Sequence, residues 1–364
     1  MSRVLVLNCG SSTVKYRLFD GDATLATGLV ERLREPADFE RALGDIVGGT
    51  DAAAIGLVGH RVVHGGDRFS RATVLDDDVV AAIEELIPLA PLHNPGALTG
   101  IAIARRLLPG VPQVAVFDTA FHATIPAEGR LFAIDAELAH RWAIRRYGFH
   151  GTSHAYVARR TAEVLGLDPA RARIITLHLG NGASACAVRD GRSVATSMGL
   201  SPQGGLVMGT RTGDVDPTVV FHLHRVAGLP IDEIEDSLTR HAGLRGLAGD
   251  NDMRVILGRR AAGEPAATLA FDLYCRRITE YVGAYLAVLG GADAITFTAG
   301  VGENSPAVRE KSLAGLAGLG IEVDPVRNAA GETVISPPGT PVAVCVVGTD
   351  EEHEIAGQAR AAVG

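Results

Sequence analysis

The chain of 364 residues has almost no lysine. Lys15 and Lys311 are the only two, and every other basic side chain is arginine. Formal net charge is −8, and the arginines form no run or stripe, which argues against a nucleic-acid surface. Cysteine is scarce too. Cys9, Cys186, Cys275 and Cys345 stand far apart with no CxxC pair, so neither a disulfide framework nor a zinc ribbon is expected. No apolar run approaches the ~18 residues of a membrane span, and Val4–Leu7 is too short for a signal-peptide core. A cytoplasmic location without membrane contact is the expectation. No GxxxxGK[ST] occurs, which removes the P-loop enzymes. His150-x-x-x-His154 lacks the glutamate of HExxH, and His222-x-His224 reads as part of a helix face, so no metalloprotease-type zinc site is expected.

What is present is 47% apolar residues against 21% charged, enough for large cores and about two domains. One of the two lysines sits in Asn8-Cys9-Gly10-Ser11-Ser12-Thr13-Val14-Lys15, directly after the apolar run Val4–Leu7. This is a strand entering a small polar turn and leaving as a second strand. Backbone N–H groups, hydroxyls and a cation converge there with no bulky side chain in the way, which suits phosphate oxygens. The stretch is either a plain tight hairpin or a phosphate or metal contact, and its recurrence favours the second reading. Shifted by 170 positions it falls on Ile174–Gly182, with Asn8 on His178, Gly10 on Gly180 and Asp20-Gly21 on Asp190-Gly191. Asp-Gly is a strong hairpin signal. Two copies of strand, glycine turn, strand, hairpin and strand predict two similar lobes with a nucleotide between them. Gly180-Asn181-Gly182-Ala183-Ser184-Ala185 formally fits GxGxxA, but a strand and an Asp-Gly turn follow where a dinucleotide fold needs a helix.

Elsewhere strands alternate with helices, so the class is α/β. The strand over Ile55–Val63 carries His60 and Arg61, and Val114–Phe117 delivers Asp118 at its carboxyl end, where ligands of open α/β sheets gather. Arg61 reads either as a surface ion pair or as a two-pronged clamp on a small anion. Asp118 reads as an N-cap or as a catalytic carboxylate, and its position favours the latter. Helices are expected over Val79–Leu89, Gly96–Leu108 (after a break at Leu92–Pro95) and Pro265–Leu289. Another runs from Tyr147–His154 to about Gly166, with Thr152 or Ser153 as N-cap. Met198–Asp216 is a long glycine-rich loop of the kind that is functional or disordered. Glu351 and Glu352 open the last helix after a buried strand. Either they are ordinary first-turn acids, or one holds Mg²⁺ with Asn8 opposite, a sparse site of the kind Mg²⁺ accepts.

The sequence resembles the acetokinase family of the acetate and sugar kinase, Hsp70 and actin superfamily. The resemblance rests on Asn8-x-Gly10-Ser11-Ser12-x-x-Lys15, His60–Gly66, Pro91–Pro95, Val116–His122, Tyr147–His154, His178–Gly182, Met208–Asp214, Gly300–Asn304 and Thr349–Glu352, in family order over nearly the whole chain. It implies an α/β protein of two duplicated RNase H-like, actin-like ATPase lobes: residues 1–118 plus 353–364, and residues 119–352, with a nucleotide cleft between them. It further implies Asp118, His150 and Arg211 as catalytic residues. Arg61 would bind the substrate carboxylate, and Val63, Leu92, Phe149 and Pro202 would line the pocket for its methyl group. Lys15, His178, Leu179, Gly180, Asn181, Gly182, Asp252, Met253, Arg254, Gly300, Val301, Gly302, Glu303 and Asn304 match nucleotide contacts. Asn8 and Glu351 match positions associated with Mg²⁺, or with Mn²⁺ in its place.

The implied activity is reversible transfer of a phosphoryl group from ATP to acetate in a homodimer joined through the second lobe. Propionate or butyrate kinase is the alternative within the family. A chaperone-type ATPase of the superfamily is disfavoured, because the chain ends 13 residues after Glu351 and leaves no room for a peptide-binding region. Several positions depart from the family pattern. Thr13 stands for Ser, Cys9 for Ala and Gly348 for Pro; residues 22–53 are short; and His241–Gly249 matches poorly.

Overall fold

The computed structural model describes residues 3–364. The chain forms two compact units, Met1–Ala123 with Phe149–Tyr156 and Asp350–Gly364, and Thr124–Gly148 with Val157–Thr349.

The sheet of the first unit contains β1 (Arg3–Cys9), β2 (Thr13–Asp20), β3 (Ala23–Glu31), β4 (Ile55–Val62), β5 (Thr73–Val74) and β6 (Gln113–Phe117), in the order β3-β2-β1-β4-β6-β5. β1, β2 and β3 pair antiparallel, while β4 runs parallel to β1 and β6 parallel to β4. The apolar run of β1 is buried on both faces, as a central strand requires. Val4 and Val6 pack with Leu57, Val114, Val116 and the last helix, Glu351–Val363, through Ile355, Ala356 and Ala359. Leu5 and Leu7 point the other way, onto Phe39, Leu43 and Ile46 of helix Pro36–Gly48 and Ile103 and Ala104 of helix Asn94–Leu107. The period-2 alternation of one strand thus divides two cores.

The second unit repeats the plan. β7 (Arg173–Leu179), β8 (Ala183–Arg189), β9 (Arg192–Thr196), β10 (Ala294–Thr298) and β11 (Ala343–Val346) lie in the order β11-β10-β7-β8-β9. β7, β8 and β9 pair antiparallel, and β10 and β11 continue parallel to β7. The bounds of β7 are those of β1 moved by 170 residues. At the hairpins Gly21, Asp190 and Gly191 all have positive φ, the conformation that an Asp-Gly turn supplies. A strand follows Gly180-Asn181-Gly182, so the turn is not a dinucleotide fingerprint. The 25-residue helix Pro265–Leu289 starts on its proline and stops at Gly290 with φ 69°, as expected. His222 and His224 lie in helix Thr218–Arg225.

Two local expectations need correction. Asn94-Pro95 does not break the chain but opens helix Asn94–Leu107, where the missing N–H of proline costs nothing. Thr152 and Ser153 are not N-caps. The helix already begins at Gly151, both are buried inside it, and the Thr152 hydroxyl turns to Asp118 Oδ1 at 3.4 Å. Gly300–Asn304 forms most of a short helix, Ala299–Asn304.

Two buried histidines give the first unit a pH-dependent stability. His60 Nε2 meets Gln113 Oε1 at 2.7 Å, and His122 Nε2 meets the Phe149 carbonyl at 3.0 Å. Burial pushes each imidazole down from 6.5 to about 4. Folding therefore favours the neutral rings. Between pH 6.5 and about 4 the unfolded chain binds protons that the folded chain does not, at about 1.4 kcal/mol per pH unit for each group. The denaturant midpoint should fall as pH is lowered through this window, and His60→Gln should flatten part of the fall. An unchanged slope in that variant would remove His60 from the account.

Candidate active site

Adjacent parallel strands set the central pair. In the β4–β6 register Arg61 faces Val116, and the Asp118 N–H donates to the Val62 carbonyl at 3.0 Å just past the end of β6. Arg61 and Asp118 therefore emerge side by side at the carboxyl edge of the sheet. Arg61 Nε donates to Asp118 Oδ1 at 3.0 Å and Nη2 to Oδ2 at 2.7 Å, a two-pronged pair. Glu351 Oε2 lies 3.6 Å from the same Nε. Burial pushes the Asp118 carboxyl up, against the pull of Arg61. Burial also opposes the charge on Arg61, but Asp118 and Glu351 outweigh it and hold the guanidinium above its ordinary range.

The backbone around Asp118 is equally constrained. Gly151 N donates to the Asp118 carbonyl at 2.9 Å, and a Cβ at Gly151 would lie 2.1 Å from that oxygen, so only glycine fits. The preceding residue, His150, adopts φ +56°, a strained conformation for a non-glycine residue and one that concentrates at functional sites. The His60–Gly66 run is tied by His64 N to Asn94 Oδ1 (3.2 Å), Asn94 Nδ2 to the His64 carbonyl (3.1 Å) and Gly65 N to Thr119 Oγ1 (3.0 Å).

The two glutamates that open the last helix divide their work. Glu351 faces Arg61, whereas buried Glu352 takes Lys15 Nζ at 2.6 Å and Arg17 Nη2 at 3.5 Å. Asp350 caps the helix through His353 N at 2.9 Å and holds Arg17 Nη1 at 2.7 Å. Lys15 is thus tied to a carboxylate, with its side chain still 47% exposed, and pairs across the hairpin with Asn8. Asn8, Asp118 and Glu351 supply hard oxygen donors, which suit Mg²⁺ better than any soft metal. Among the described residues no cluster of three His, Cys, Asp or Glu cages an ion.

The expected acyl-pocket residues fall in both units. Val63 is half-buried, and Phe149 is buried with its ring edge-on to His64 at 5.6 Å. Leu92 is 61% exposed and lines a hollow of about 310 Å³ with Ser11, Arg34, Phe39 and Pro95, in which neither Val63 nor Phe149 takes part. Pro202 belongs to the second unit, where its carbonyl accepts from Arg211 Nη1 at 3.1 Å. The other contact of Arg211 is the Met208 sulfur at 3.8 Å, and burial pushes its guanidinium down. Among the described residues Arg211 has no carboxylate partner.

The second unit also holds a cavity of about 490 Å³. Eight expected nucleotide residues line it: Gly180, Asn181, Asp252, Met253, Arg254, Gly300, Val301 and Asn304. Its wall does not include His178, Leu179, Gly182, Gly302 or Glu303. The Glu303 carboxylate turns back instead, accepting from Ala299 N at 2.7 Å, Thr298 Oγ1 at 3.3 Å and Thr349 N at 3.3 Å. It caps its own short helix and ties down the segment that leads to Glu351. Sequence reasoning missed Gly209, Leu244, Asn251, Leu257, Tyr274 and Ser305 in the wall. For Asn251, adjacency to Asp252 was a usable signal; its amide donates to Asn181 Oδ1 at 3.0 Å. Leu244 lies in the stretch that departs from the family pattern.

The acetokinase family model matches residues 43–357. The acetate kinase of Streptomyces coelicolor is 54% identical over 395 residues, covering 100% of this chain and 97% of that protein. That of Clavibacter michiganensis is 52% identical over 393 residues, covering 100% and 99%. Among solved structures, Porphyromonas gingivalis acetate kinase superposes with a TM-score of 0.94 at 41% identity over 100% of both chains. A propionate kinase from Francisella tularensis superposes with 0.93 at 39%, over 99% of this chain and 100% of the other. A ROK hexokinase from Thermus thermophilus, at 0.51 and 15% identity, shares the fold alone.

Removing one partner of a buried ion pair strands the other. Asp118→Ala should therefore lower stability by about 3–5 kcal/mol in denaturant titrations, and Arg61→Ala should cost a similar amount. A loss below ~1 kcal/mol in both variants would mean that water already screens the pair.

Proposed function

The chain belongs to the acetokinase family and works as an acetate kinase, and from this premise we propose how its residues perform the reaction. The reaction is ATP + acetate ⇌ ADP + acetyl phosphate. Acetate is ionised at neutral pH, since carboxylic pKa values lie near ~4–5. Its oxygen attacks the γ-phosphorus in line, and no general base is required. The observation that carries the reading is how Arg61 is held. Asp118 engages Nε and Nη2 and leaves Nη1 without a hydrogen bond among the described residues. That open edge of the fork receives the substrate carboxylate. Asp118 acts by fixing the plane of the guanidinium, not by taking a proton.

Two anions must meet, so charge neutralisation dominates catalysis. Arg211, which pairs with no carboxylate among the described residues, stabilises the equatorial oxygens of the phosphoryl group in flight, and His150 would assist it. Asn8 and Glu351 are the oxygen donors that would hold Mg²⁺, directly or through water. When bound, Mg²⁺ neutralises phosphate charge and fixes the triphosphate. The 490 Å³ cavity receives the nucleotide. Val63 and Phe149 bound the methyl group. Exclusion of one further methylene is worth only ~1–3 kcal/mol, so propionate is a slower substrate. The homodimer would form through the second unit, where Phe221, Val226 and Ile231 are exposed.

A hydroxamate assay for acyl phosphate with ATP and acetate, propionate or butyrate tests the activity, with acetate expected to be preferred. No product from any of the three would overturn it. Arg211→Ala should lower turnover by about 10³–10⁵ while leaving the fold intact. Turnover within about tenfold of the unmodified enzyme would remove Arg211 from the transition state.

A further inference from the structure

Arg211 sits in a loop that has no regular structure of its own. Between the end of β9 at Thr196 and the helix that starts at Thr218, the chain contains neither strand nor helix. Ordering such a segment costs roughly 1–2 kcal/mol per residue, so specific bonds must hold it. The tip is held through its backbone: Gly209 N to the Asn181 carbonyl (3.0 Å), Leu244 N to the Met208 carbonyl (3.0 Å), Arg245 N to the Gly209 carbonyl (2.9 Å) and Ala242 N to the Thr210 carbonyl (3.1 Å). Toward the neck Thr212 N donates to the Leu238 carbonyl at 3.3 Å, and Asp214 closes the neck itself. Asp214 N donates to the Gly205 carbonyl at 3.0 Å, and Asp214 Oδ1 accepts from Gly205 N at 2.7 Å, closing a reciprocal ring. Asp214 Oδ2 accepts from the Tyr281 hydroxyl at 2.5 Å and lies 3.5 Å from Arg277 Nη1. Both belong to the long helix Pro265–Leu289. Beside this clasp Gly213 has φ +71°, and a Cβ there would lie 2.4 Å from the Leu206 carbonyl, so the crossing is built for glycine.

We infer that Asp214 is a positioning residue for catalysis: it clasps the neck of the Gly205–Asp214 loop to Tyr281 and Arg277 and thereby fixes the place of the Arg211 guanidinium. The inference rests on the transition-state reading of Arg211. Among the described residues a carbonyl and a thioether are all that hold the guanidinium itself, so its position follows the backbone of the loop. One carboxylate oxygen serves the neck and the other serves the helix. Asp214→Asn therefore loses charge and an acceptor without opening a cavity, because Asp214 lies at the surface with its side chain 49% exposed. Tyr281→Phe removes the helix-side bond alone.

The test is a double-mutant cycle on turnover, with KM for acetate and ATP measured separately. Asp214→Asn should lower kcat by ~10–100-fold, as for a misplacement of the order of 1 Å, with Tyr281→Phe in the same direction and both KM values little changed. In an Arg211→Ala background neither substitution should lower kcat further. An undiminished loss in that background overturns the positioning role while leaving the reading of Arg211 intact. Normal kcat in Tyr281→Phe and Asp214→Asn does the same. If Arg211→Ala alone keeps near-normal turnover, both readings fail together. Should Asp214→Asn not fold, Tyr281→Phe carries the test by itself.

Discussion

Half-buried arginines are expensive to hold, and Arg61 and Arg211 are held in opposite ways. Arg61 is neutralised along one edge by Asp118 and pressed by Glu351, which keeps it charged and flat. Among the described residues the Arg211 guanidinium meets the Pro202 carbonyl and the Met208 sulfur and no carboxylate. The difference matches the two roles proposed for them. A carboxylate is recognised by the free edge of a fork whose plane is already fixed. A phosphoryl group gathering charge needs a cation that nothing else has neutralised. Much of the surrounding structure keeps these two charges in place without quenching them.

The duplicated sheet supplies the scaffolding. In each unit a strand–turn–strand hairpin is followed by parallel strands whose carboxyl ends deliver side chains to one edge. In the first unit these ends carry Arg61 and Asp118. In the second, the end of β10 enters the short helix that lines the cavity with Gly300, Val301 and Asn304. That helix begins at Ala299 with φ +65°, and the Glu303 carboxylate bonds the Ala299 amide. A carboxylate expected beside the nucleotide thus serves to stabilise a strained turn and the segment leading to Glu351. Glu352 likewise occupies Lys15 and Arg17.

Much of this was legible in the chain. The 170-residue repeat located both hairpins because apolar alternation, glycine turn and Asp-Gly recur in the same spacing. The long helix could be bounded at both ends because Pro265 and Gly290-Gly291 are strong punctuation. Strand-end placement singled out Asp118. The boundaries at Asn94 and Gly151 were misread for local reasons. Proline inside a first turn looks like a breaker, and Thr152 looks like a cap until Asp118 is seen to occupy its hydroxyl.

The amino-acid order by itself determined the class, the duplication, the family and the identity of the charged groups, because these are carried by periodicity and by motifs a few residues long. Tertiary structure alone decided the partners. Arg61 meets Asp118 across 57 positions, Asn181 meets Asn251 across 70, and Asp214 meets Tyr281 across 67. A short motif specifies that an arginine or a carboxylate is present. Whether that group is left open to a ligand or consumed by a neighbour depends on which distant segment the sheet brings beside it. Local sequence contains no information on that distance.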